Sequence, residues 1–386
     1  MATNSPRASA PVSAQLATDR QWMALALAQA QQALYSASPN PRVGCVVVQN
    51  GQLVAKGFTQ VTGQAHAEIM ALRQAHEQQI SLEGATVYVT LEPCSHYGRT
   101  PPCVDALIQE RPARVVIAML DPNPQVAGQG VARLQAEGIE VVTGVCQEQA
   151  LALNPGFVSR MVRKRPWVWL KVAASLDGGT ALLNGQSQWI TDSAARADGH
   201  HWRARSCVVL SGSGTVLADN PLLTVRDVPT ERQPIRAVID SRLQISPNAR
   251  LFNGDEVWVF TCRHNELHAE ALRQKNARLI VLPASNGQVN LHALFNFLAD
   301  HEINEVHVEA GAALNGVLVE QGLADELLTY LAPMLLGPAK PMFHLPELSQ
   351  LSAAAHFEFI DALPLGNDIR LLARNSNSWE ALKKHV

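Results

Sequence analysis

Two cysteines, Cys94 and Cys103, stand eight residues apart in the stretch TLEPCSHYGRTPPC, each directly after a proline. Such a pair is compatible with a disulfide, with two core residues, or with half of a metal site. A candidate partner is AHAEIMAL, where His66 and Glu68 are two positions apart. Positions i and i+2 do not share a helix face. Both side chains can therefore reach one point only if a helix begins there.

His66, Cys94 and Cys103 together offer one imidazole and two thiolates, which make a neutral site with Zn²⁺. Three protein ligands leave the fourth tetrahedral position open for water, as in catalytic zinc sites. Zinc lowers the pKa of such a water towards neutrality, and Glu68 stays available to move protons. This division of labour, H-x-E followed by P-C, is that of zinc deaminases.

Other interpretations stay open from these residues alone. The general deaminase signature has two residues between its cysteines, whereas this chain has eight. Core cysteines are common, and a fourth ligand such as His76 or His96 would make the zinc structural. A nucleic-acid-editing deaminase would share the signature, but it should be basic and rich in aromatic residues. The net charge of −3 and the 5% aromatic content argue against that class.

Composition favours a globular cytoplasmic protein. The six cysteines are spread over 386 residues, a pattern that favours a reducing compartment over a disulfide framework. No apolar run approaches the ~20 residues that cross a bilayer. The stretch WMALALAQA is interpreted as part of the first helix rather than a signal peptide, because Thr18 and Gln21 match a capping box.

The elements that must position the zinc motif alternate between strands and helices. RVGCVVVQNGQLVAKGF predicts a hairpin turning at Asn50-Gly51, and HAEIMALRQAHEQ a helix with Ile69, Leu72 and His76 on one face. GATVYVTLEP and ARVVIAMLDPNP read as strands, with the helix CVDALIQERP between them. The sequence predicts a disordered tail over residues 1–15 and an α/β domain over 16–150.

A second α/β domain is predicted over 166–380, after a linker at 151–165. The linker contains NPGFVSRMVRKRP, whose basic cluster is interpreted as a solvated connector rather than a phosphate site. WVWLKVAASLDG and several later apolar runs alternate with helical stretches, which predicts parallel pairing. The turns LSGSGTV and VEAGAALNGVL suit a dinucleotide's phosphates, but neither is G-x-G-x-x-G.

The residues inside the long interval identify a family. PNPRVGC, HAE and EPCSHYGRTPPC resemble the bifunctional deaminase/reductase of riboflavin biosynthesis, in which the interval has this length. KVAASLDG, SQWIT, GTVLADNPLLTVR, IDS and VEAGAALNG resemble its reductase half over most of residues 167–374. The resemblance implies an α/β fold in two domains, a cytidine-deaminase-like α/β/α domain followed by a dihydrofolate-reductase-like one.

The same resemblance implies two reactions. The first is zinc-dependent deamination of 2,5-diamino-6-ribosylamino-4(3H)-pyrimidinone 5′-phosphate, with one Zn²⁺ per domain. The second is NADPH-dependent reduction of the ribosyl side chain to ribityl. It further implies a homo-oligomer that acts on a small pyrimidine ribotide, with no nucleic-acid or membrane partner. A competing hypothesis keeps the deaminase and makes the C-terminal half a non-catalytic module.

Individual roles follow from the resemblance position by position. Asn40, His96 and Arg99 are assigned to the deaminase substrate. Residues expected to line the NADPH site are Ala173, Trp189, Thr215, Asp219, Ser241, Gly311, Ala312, Ala313, Leu314, Asn315 and Gly316. Residues expected to hold the reductase substrate are Ser187, Arg203, Leu223, Arg226 and Glu309, the two arginines as clamps on a phosphate. Asp219 is the candidate polar group at the hydride site, and Asp177 is interpreted as a turn residue.

Overall fold

The computed structural model describes residues 12–96, 101–123, 126–263 and 265–386. The chain divides into two compact units, one of residues 1–158 with 385–386 and one of residues 159–384. Within the described ranges, no helix is long and apolar enough to cross a membrane.

The first unit is a five-stranded mixed sheet flanked by helices. Its strand order is β2-β1-β3-β4-β5, antiparallel around β1 and parallel from β3 to β5. Its elements are α1 (Val12–Gln32), β1 (Gly44–Gln49), β2 (Gln52–Phe58), α2 (Ala67–Glu77), β3 (Thr86–Val89), α3 (Cys103–Glu110), β4 (Arg114–Ile117), α4 (Gln129–Ala136), β5 (Glu140–Thr143) and α5 (Gln147–Leu153).

The hairpin is as predicted. Gln49 pairs with Gln52, and the turn residues Asn50 and Gly51 both have positive φ, at 52° and 74°. A two-residue turn with two positive φ angles matches the twist of the flanking strands, and Asn-Gly is the pair that adopts it most readily. The turn therefore sets the register of β1, the strand that carries Cys45 beside the candidate zinc site.

The first helix begins earlier than the sequence suggested. It starts at Val12, inside the segment predicted as a disordered tail, and passes through Thr18. The Thr18 hydroxyl donates to the carbonyl of Ala14 one turn back, so Thr18 is an interior helical residue and not a cap. The neighbouring Asp19 also lies within the helix, where it is buried and paired with Arg114 at 2.7 Å.

The second unit is built on a nine-stranded sheet in the order β11-β10-β9-β8-β14-β6-β15-β18-β17. Joining the units in sequence is α6 (Pro155–Arg163). The second unit's elements are β6 (Trp167–Ser175), β7 (Gly179–Leu182), α7 (Ser193–Arg205), β8 (Val208–Gly212), α8 (Ser213–Asp219), β9 (Ile235–Ile239), β10 (Val257–Thr261), α9 (Glu266–Arg273), β11 (Ala277–Val281), β12 (Ala284–Ser285), β13 (Gln288–Val289), α10 (Leu291–Asp300), β14 (Glu305–Glu309), α11 (Ala312–Glu320), β15 (Glu326–Ala332), β16 (Ala339–Pro341), β17 (Glu358–Leu365), β18 (Asp368–Arg374) and α12 (Ser376–Lys383).

The seven strands from β11 to β15 are parallel, as the alternation of strands and helices predicted. The outer strands β18 and β17 are antiparallel, and β7 pairs with β16 in a separate two-stranded sheet. One large core lies between the sheet and helices α10 and α11. The carboxyl ends of the parallel strands, where open α/β sheets bind ligands, therefore meet along one edge.

The predicted linker is largely helical, because α5 and α6 occupy most of residues 151–165. Its basic cluster is not a solvated connector. Arg163 and Arg165 lie 3.0 and 2.7 Å from Oδ1 of Asp325, whose side chain is fully buried. Asp325 also accepts the backbone N–H of Val168 at 2.9 Å. The pairing fastens the segment after residue 158 to the start of β6.

Candidate active sites

His66 and Glu68 stand at the beginning of α2, as the sequence required. His66 is the extended residue before the helix (φ −75°, ψ 167°), and the helix proper starts at Ala67. Glu68, in the first turn, is only 4% exposed. Since the backbone is not yet helical at His66, the two side chains can point towards one centre.

Cys94 and Cys103 come together at the start of α3. Cys94 lies in the turn that follows β3, and Cys103 is the first residue of α3. The Cys103 backbone N–H donates to Sγ of Cys94 at 3.2 Å. Nδ1 of His66 lies 3.2 Å from Sγ of Cys103 and 3.7 Å from Sγ of Cys94.

These three side chains fit a zinc ion. Their donor atoms all lie within 4.8 Å of one another. Tetrahedral zinc with Zn–S of about 2.3 Å and Zn–N of about 2.0 Å needs N···S separations of about 3.6 Å, close to those observed. No further His, Cys, Asp or Glu of the described chain joins the cluster, and His76 is instead paired with Glu110. The donor set is therefore that of an open site rather than a closed structural one.

The charges around the cluster reinforce this arrangement. The hydrogen bond from the Cys103 thiol lowers the pKa of Cys94, so Cys94 carries the thiolate. The contact with Cys94 raises the pKa of His66. Burial, together with the Cys94 charge, raises the pKa of Glu68 to about 7. A cation bound between the sulfurs would lower these acidic pKa values, because it would compensate the buried negative charge.

The second unit contains a cleft of about 2070 Å³ at the carboxyl ends of its parallel strands. It is lined by ten of the eleven residues predicted for the cofactor and by all five predicted for the substrate. The exception is Gly316, inside α11, where a Cβ atom would meet the carbonyl oxygen of His344 at 1.9 Å. Gly316 thus lets α11 pack against the backbone beside the cleft.

Two helix starts face the same cleft. Gly212 precedes α8, which runs from Ser213 to Asp219, and Gly311 precedes α11. Both helices follow strands that are neighbours in the sheet, β8 and β14. Free N–H groups at helix starts bind phosphate groups. The two glycine-rich turns singled out in the sequence therefore lie side by side where a dinucleotide's pyrophosphate would be held.

A buried charge cluster surrounds Glu309 at the end of β14. The Arg203 guanidinium contacts its carboxylate twice, at 2.5 and 2.8 Å, and donates to the Thr224 carbonyl at 2.8 Å. Nζ of Lys171 lies 3.9 Å from Glu309. Burial alone would raise the pKa of Glu309, but Arg203 and Lys171 hold it well below its usual range. Glu309 is therefore an ionised carboxylate on the wall of the cleft.

Both halves of the chain match known protein families. Residues 16–119 match the cytidine and deoxycytidylate deaminase zinc-binding region, and residues 166–371 match the RibD C-terminal domain. The riboflavin biosynthesis protein RibD of Escherichia coli (strain K12) is 45% identical over 92% of this chain and 98% of its own length. RibD of Haemophilus influenzae is 43% identical over 91% and 95%. The chain belongs to the RibD family.

Solved RibD structures have the same fold throughout. Acinetobacter baumannii RibD superposes with a TM-score of 0.84 at 43% identity, covering 93% of this chain and 99% of that one. A Thermotoga maritima diaminohydroxyphosphoribosylaminopyrimidine deaminase/5-amino-6-(5-phosphoribosylamino)uracil reductase gives 0.83 at 33% identity, covering 94% and 99%. The predicted fold class, a deaminase-like domain followed by a reductase domain, is confirmed.

As a RibD enzyme the chain is a bifunctional deaminase and reductase of riboflavin biosynthesis that acts on a small-molecule pyrimidine. Zinc for the first half and NADPH for the second, the two predicted cofactors, are confirmed with it. The hypothesis of a non-catalytic C-terminal module is wrong, because that half matches the RibD reductase domain over residues 166–371.

The structure describes the surroundings of two of the three residues assigned to the deaminase substrate. His96 lies two residues after Cys94 and near Asp121: burial raises the pKa of Asp121 to about 6, and the nearby His96 offsets part of that rise. Asn40 follows Pro39 in the turn before β1, and its N–H donates to the carbonyl of Ala37 at 2.9 Å. Arg99 lies outside the described residues. These assignments stay predictions.

Sequence reasoning missed Glu92, which holds the Cys94 turn in place. This buried carboxylate accepts four backbone N–H groups, at distances of 2.9–3.2 Å. They belong to Asp121, Gly128, Gly130 and Val131, so Glu92 joins the cysteine turn to the start of α4. The sequence feature that could have indicated this role is the position of Glu92, directly before the P-C pair.

Sequence reasoning also missed Lys171 in the reductase half of the RibD chain. It lies on β6 between apolar residues, lines the cleft, and has a pKa lowered by burial. A single lysine within the otherwise apolar strand WVWLKVAAS was the signal. By contrast, Asp177 holds a turn as predicted, accepting the N–H groups of Leu336 and Gly337.

Proposed function

We propose that His66, Cys94 and Cys103 are the zinc ligands of the RibD deaminase and that Glu68 is its proton carrier. The observation that carries this proposal is the convergence of one imidazole nitrogen and two sulfurs within 4.8 Å, next to the buried carboxylate of Glu68. Zinc, when bound, supplies Lewis-acid activation of water.

Glu68 is suited to both halves of the proton transfer. A buried carboxylate beside the open ligand position, which is not itself a ligand, can accept a proton from the attacking water and release it again. We infer that Glu68 passes this proton to a ring nitrogen of the pyrimidine and then to the departing ammonia. Asn40, His96 and Arg99 would hold the substrate, Arg99 at its phosphate.

For the reductase, we propose that NADPH lies across the helix starts at Gly212 and Gly311. Ala173, Trp189, Thr215, Asp219 and Ser241 would line it, with the 311–316 turn on its phosphates. Ser187, Leu223 and Arg226 would hold the phosphoribosyl substrate. NADPH supplies the hydride, and the protein aligns it with the sugar carbon.

Arg203 and Glu309 act as one unit in this proposal. All three guanidinium nitrogens of Arg203 already contact Glu309 or Thr224. The main role of Arg203 is therefore to orient the Glu309 carboxylate towards the substrate's hydroxyl groups. The exposed Arg226 is better placed to meet the phosphate. Its backbone N–H donates to His200, and one of its guanidinium nitrogens donates to the Thr224 hydroxyl.

The experiment that tests the deaminase assignment is Glu68→Gln. We expect ammonia release from the diaminopyrimidine phosphate to fall at least about 100-fold, the usual contribution of a positioned general base. Zinc content should stay at one per chain, because Glu68 is not a ligand. NADPH oxidation with the deaminated intermediate is the control in the same sample. Near-normal ammonia release would remove Glu68 from this role.

We further propose a homo-oligomer working in the cytoplasm without nucleic-acid or membrane partners. All six cysteines are free thiols, which suits a reducing compartment. The net charge of −3 gives no field that attracts nucleic acid.

A further inference from the structure

A fully buried histidine lies directly behind Glu309 on the same strand. The sequence EVHVE of β14 alternates, so Val306 and Val308 enter the main core while His307 and Glu309 point to the other face of the sheet. The side chain of His307 is 0% exposed, and its Nε2 lies 3.2 Å from a carboxylate oxygen of Glu309, Oε1. Glu309 lines the cleft, whereas His307 does not. His307 therefore contacts the carboxylate from the protein side.

The sheet around His307 fixes its position. Strand β14 is hydrogen-bonded on both sides, and His307 is paired with Trp169 of β6 and with Val209 of β8. A compact imidazole on such a central strand has little freedom to move. Arg203, by contrast, reaches Glu309 from α7 through a long side chain with many rotamers. Of these two contacts, the one from His307 is therefore the one that ties Glu309 to the sheet itself.

His307 is a neutral hydrogen-bond donor. Burial, together with the charges of Arg203 and Lys171, lowers its pKa, although Glu309 acts in the opposite direction. An ionised carboxylate only accepts hydrogen bonds, so a neutral imidazole that faces Glu309 carries its proton on Nε2. The contact is bent, and within the described chain neither ring nitrogen of His307 has a well-aligned partner. Packing alone does not account for this residue, since a poorly paired nitrogen in the interior costs stability.

The contacts around Glu309 distinguish its two oxygens. A carboxylate has about four acceptor sites, which are shared equally between its oxygens. Arg203 takes one site on each, through Nε to Oε1 and through Nη2 to Oε2, and His307 approaches the other site on Oε1. Nζ of Lys171 is 3.9 Å from Oε2, which is beyond hydrogen-bond distance. Among the described donors none fills the second site on Oε2, the oxygen nearer to Lys171 of the cleft lining.

We infer that His307 is a positioning residue of the reductase, which holds Oε1 of Glu309 so that Oε2 is the oxygen that meets the substrate. The inference rests on the proposed function of Glu309 and names the atom through which Glu309 acts. With Oε1 held by Arg203 and His307, the carboxylate is kept from rotating, and a substrate hydroxyl in the cleft finds Oε2 in a fixed place. His307 itself contacts neither substrate nor cofactor, because it lies behind Glu309.

Three substitutions of His307 in the full-length enzyme test this inference. The amide of His307→Gln places an N–H close to the position of Nε2, the shorter amide of His307→Asn ends near Nδ1, and His307→Leu has no donor. We expect kcat for NADPH oxidation with the deaminated intermediate to fall about tenfold or more in His307→Asn and His307→Leu, because small displacements of a catalytic group are costly. His307→Gln should stay within about threefold of the wild type, since it keeps the donor.

Further measurements separate positioning from a merely structural role. The KM for NADPH should not change, because His307 does not line the cleft. Ammonia release and thermal unfolding check that each variant is folded, and either of His307→Asn and His307→Leu suffices for the comparison with His307→Gln. The matched control is His268→Leu, since Nε2 of His268 also donates a hydrogen bond, to the carbonyl of Ile245 at 2.9 Å, outside the cleft lining. NADPH oxidation should be unaltered in that control.

The outcomes distinguish the role of His307 from that of Glu309. Slow reduction without the Nε2 donor, with His307→Gln near the wild-type rate, supports the inference. Wild-type rates in the folded variants that lack this donor, or an equal loss of rate in His307→Gln, overturn it. Glu309→Gln is measured beside them. A slow Glu309→Gln with unaffected His307 variants removes His307 alone, whereas a wild-type rate in Glu309→Gln overturns the proposed function of Glu309 itself.

Discussion

Glu68 and Glu309 are both buried carboxylates, but the chain treats their charges in opposite ways. Glu309 has Arg203 and Lys171 beside it and keeps a low pKa. Glu68 faces the Cys94 thiolate, and burial raises its pKa to about 7. The reductase site therefore carries its own positive charge, whereas at the deaminase site a bound cation would compensate the Cys94 thiolate and the nearby Glu68. Zinc is that cation.

The dependence on zinc leads to a prediction for Cys103. In Cys103→Ser the hydroxyl is a poor zinc ligand, since serine does not ionise as a thiol does. We expect zinc to fall from one per chain to below about 0.1, with ammonia release lost and NADPH oxidation retained. Metal analysis of the dialysed protein is the measurement.

Cys146→Ser is the matched control for that experiment. Cys146 is a half-buried free thiol at the residue before α5, and serine has nearly the same size and shape as cysteine. It should keep its zinc and both activities. Full zinc content in Cys103→Ser would show that Cys103 is not a ligand.

Helix α11 is packed closely against neighbouring backbone. Its Gly316 faces the His344 carbonyl so closely that a Cβ atom would meet the oxygen at 1.9 Å. Gly316→Ala must therefore shift α11 and the Gly311 turn at its start. We expect the KM for NADPH to rise about tenfold or more, because small displacements of a binding element are costly. Deaminase activity should not change.

Steady-state kinetics with the deaminated intermediate would check this, with Gly199→Ala as the control. Gly199 lies within α7, where the nearest atom to an added Cβ is 4.0 Å away. Alanine is favoured over glycine inside a helix, so that variant should be as stable as the wild type or slightly more so. An unaltered KM in Gly316→Ala would mean that α11 does not hold the cofactor.

Elements with strong local signals could be predicted from the sequence. Asn50-Gly51 fixed the hairpin, and β6, β9 and β10 followed from apolar runs bounded by breaks. The buried face of α2 could not be predicted, because it contains Glu68 and Ala71 while His76, placed on that face, is exposed. Hydrophobic periodicity does not predict a buried carboxylate, because glutamate is rarely fully buried unless it is paired.

The remaining errors have a common physical origin in long-range pairing. The 151–165 segment looked like a connector because its four basic residues have no local acidic partners, yet Asp325 lies 160 residues away. The capping-box pattern of Thr18 and Gln21 did not locate the start of α1, because Thr18 is an interior residue of a helix in which Asp19 pairs with the distant Arg114. For the site, residue types predicted that His66, Cys94 and Cys103 come together, but Glu92 and Lys171 act through contacts that spacing does not encode.

At the scale of the whole molecule, two separate cores carry two separate chemistries. Among the described residues, the one His/Cys/Asp/Glu cluster able to hold a metal is His66, Cys94 and Cys103, all in the first unit. The reductase cleft is lined by residues 171–344 of the second unit. Metal binding stabilises the fold to which its ligands belong, so zinc should support the first unit and not the second.

Removal of the metal should therefore separate the two activities in the intact chain. After treatment with a strong chelator and dialysis, we expect ammonia release to be lost and NADPH oxidation of the deaminated intermediate to stay within about twofold. Calorimetry should show one transition shifted down while the other stays in place, because a ligand stabilises only the unit that binds it. Added Zn²⁺ should restore ammonia release. A parallel loss of both activities, recovered together by zinc, would instead show that the reductase unit depends on the metal-bound state of the deaminase unit.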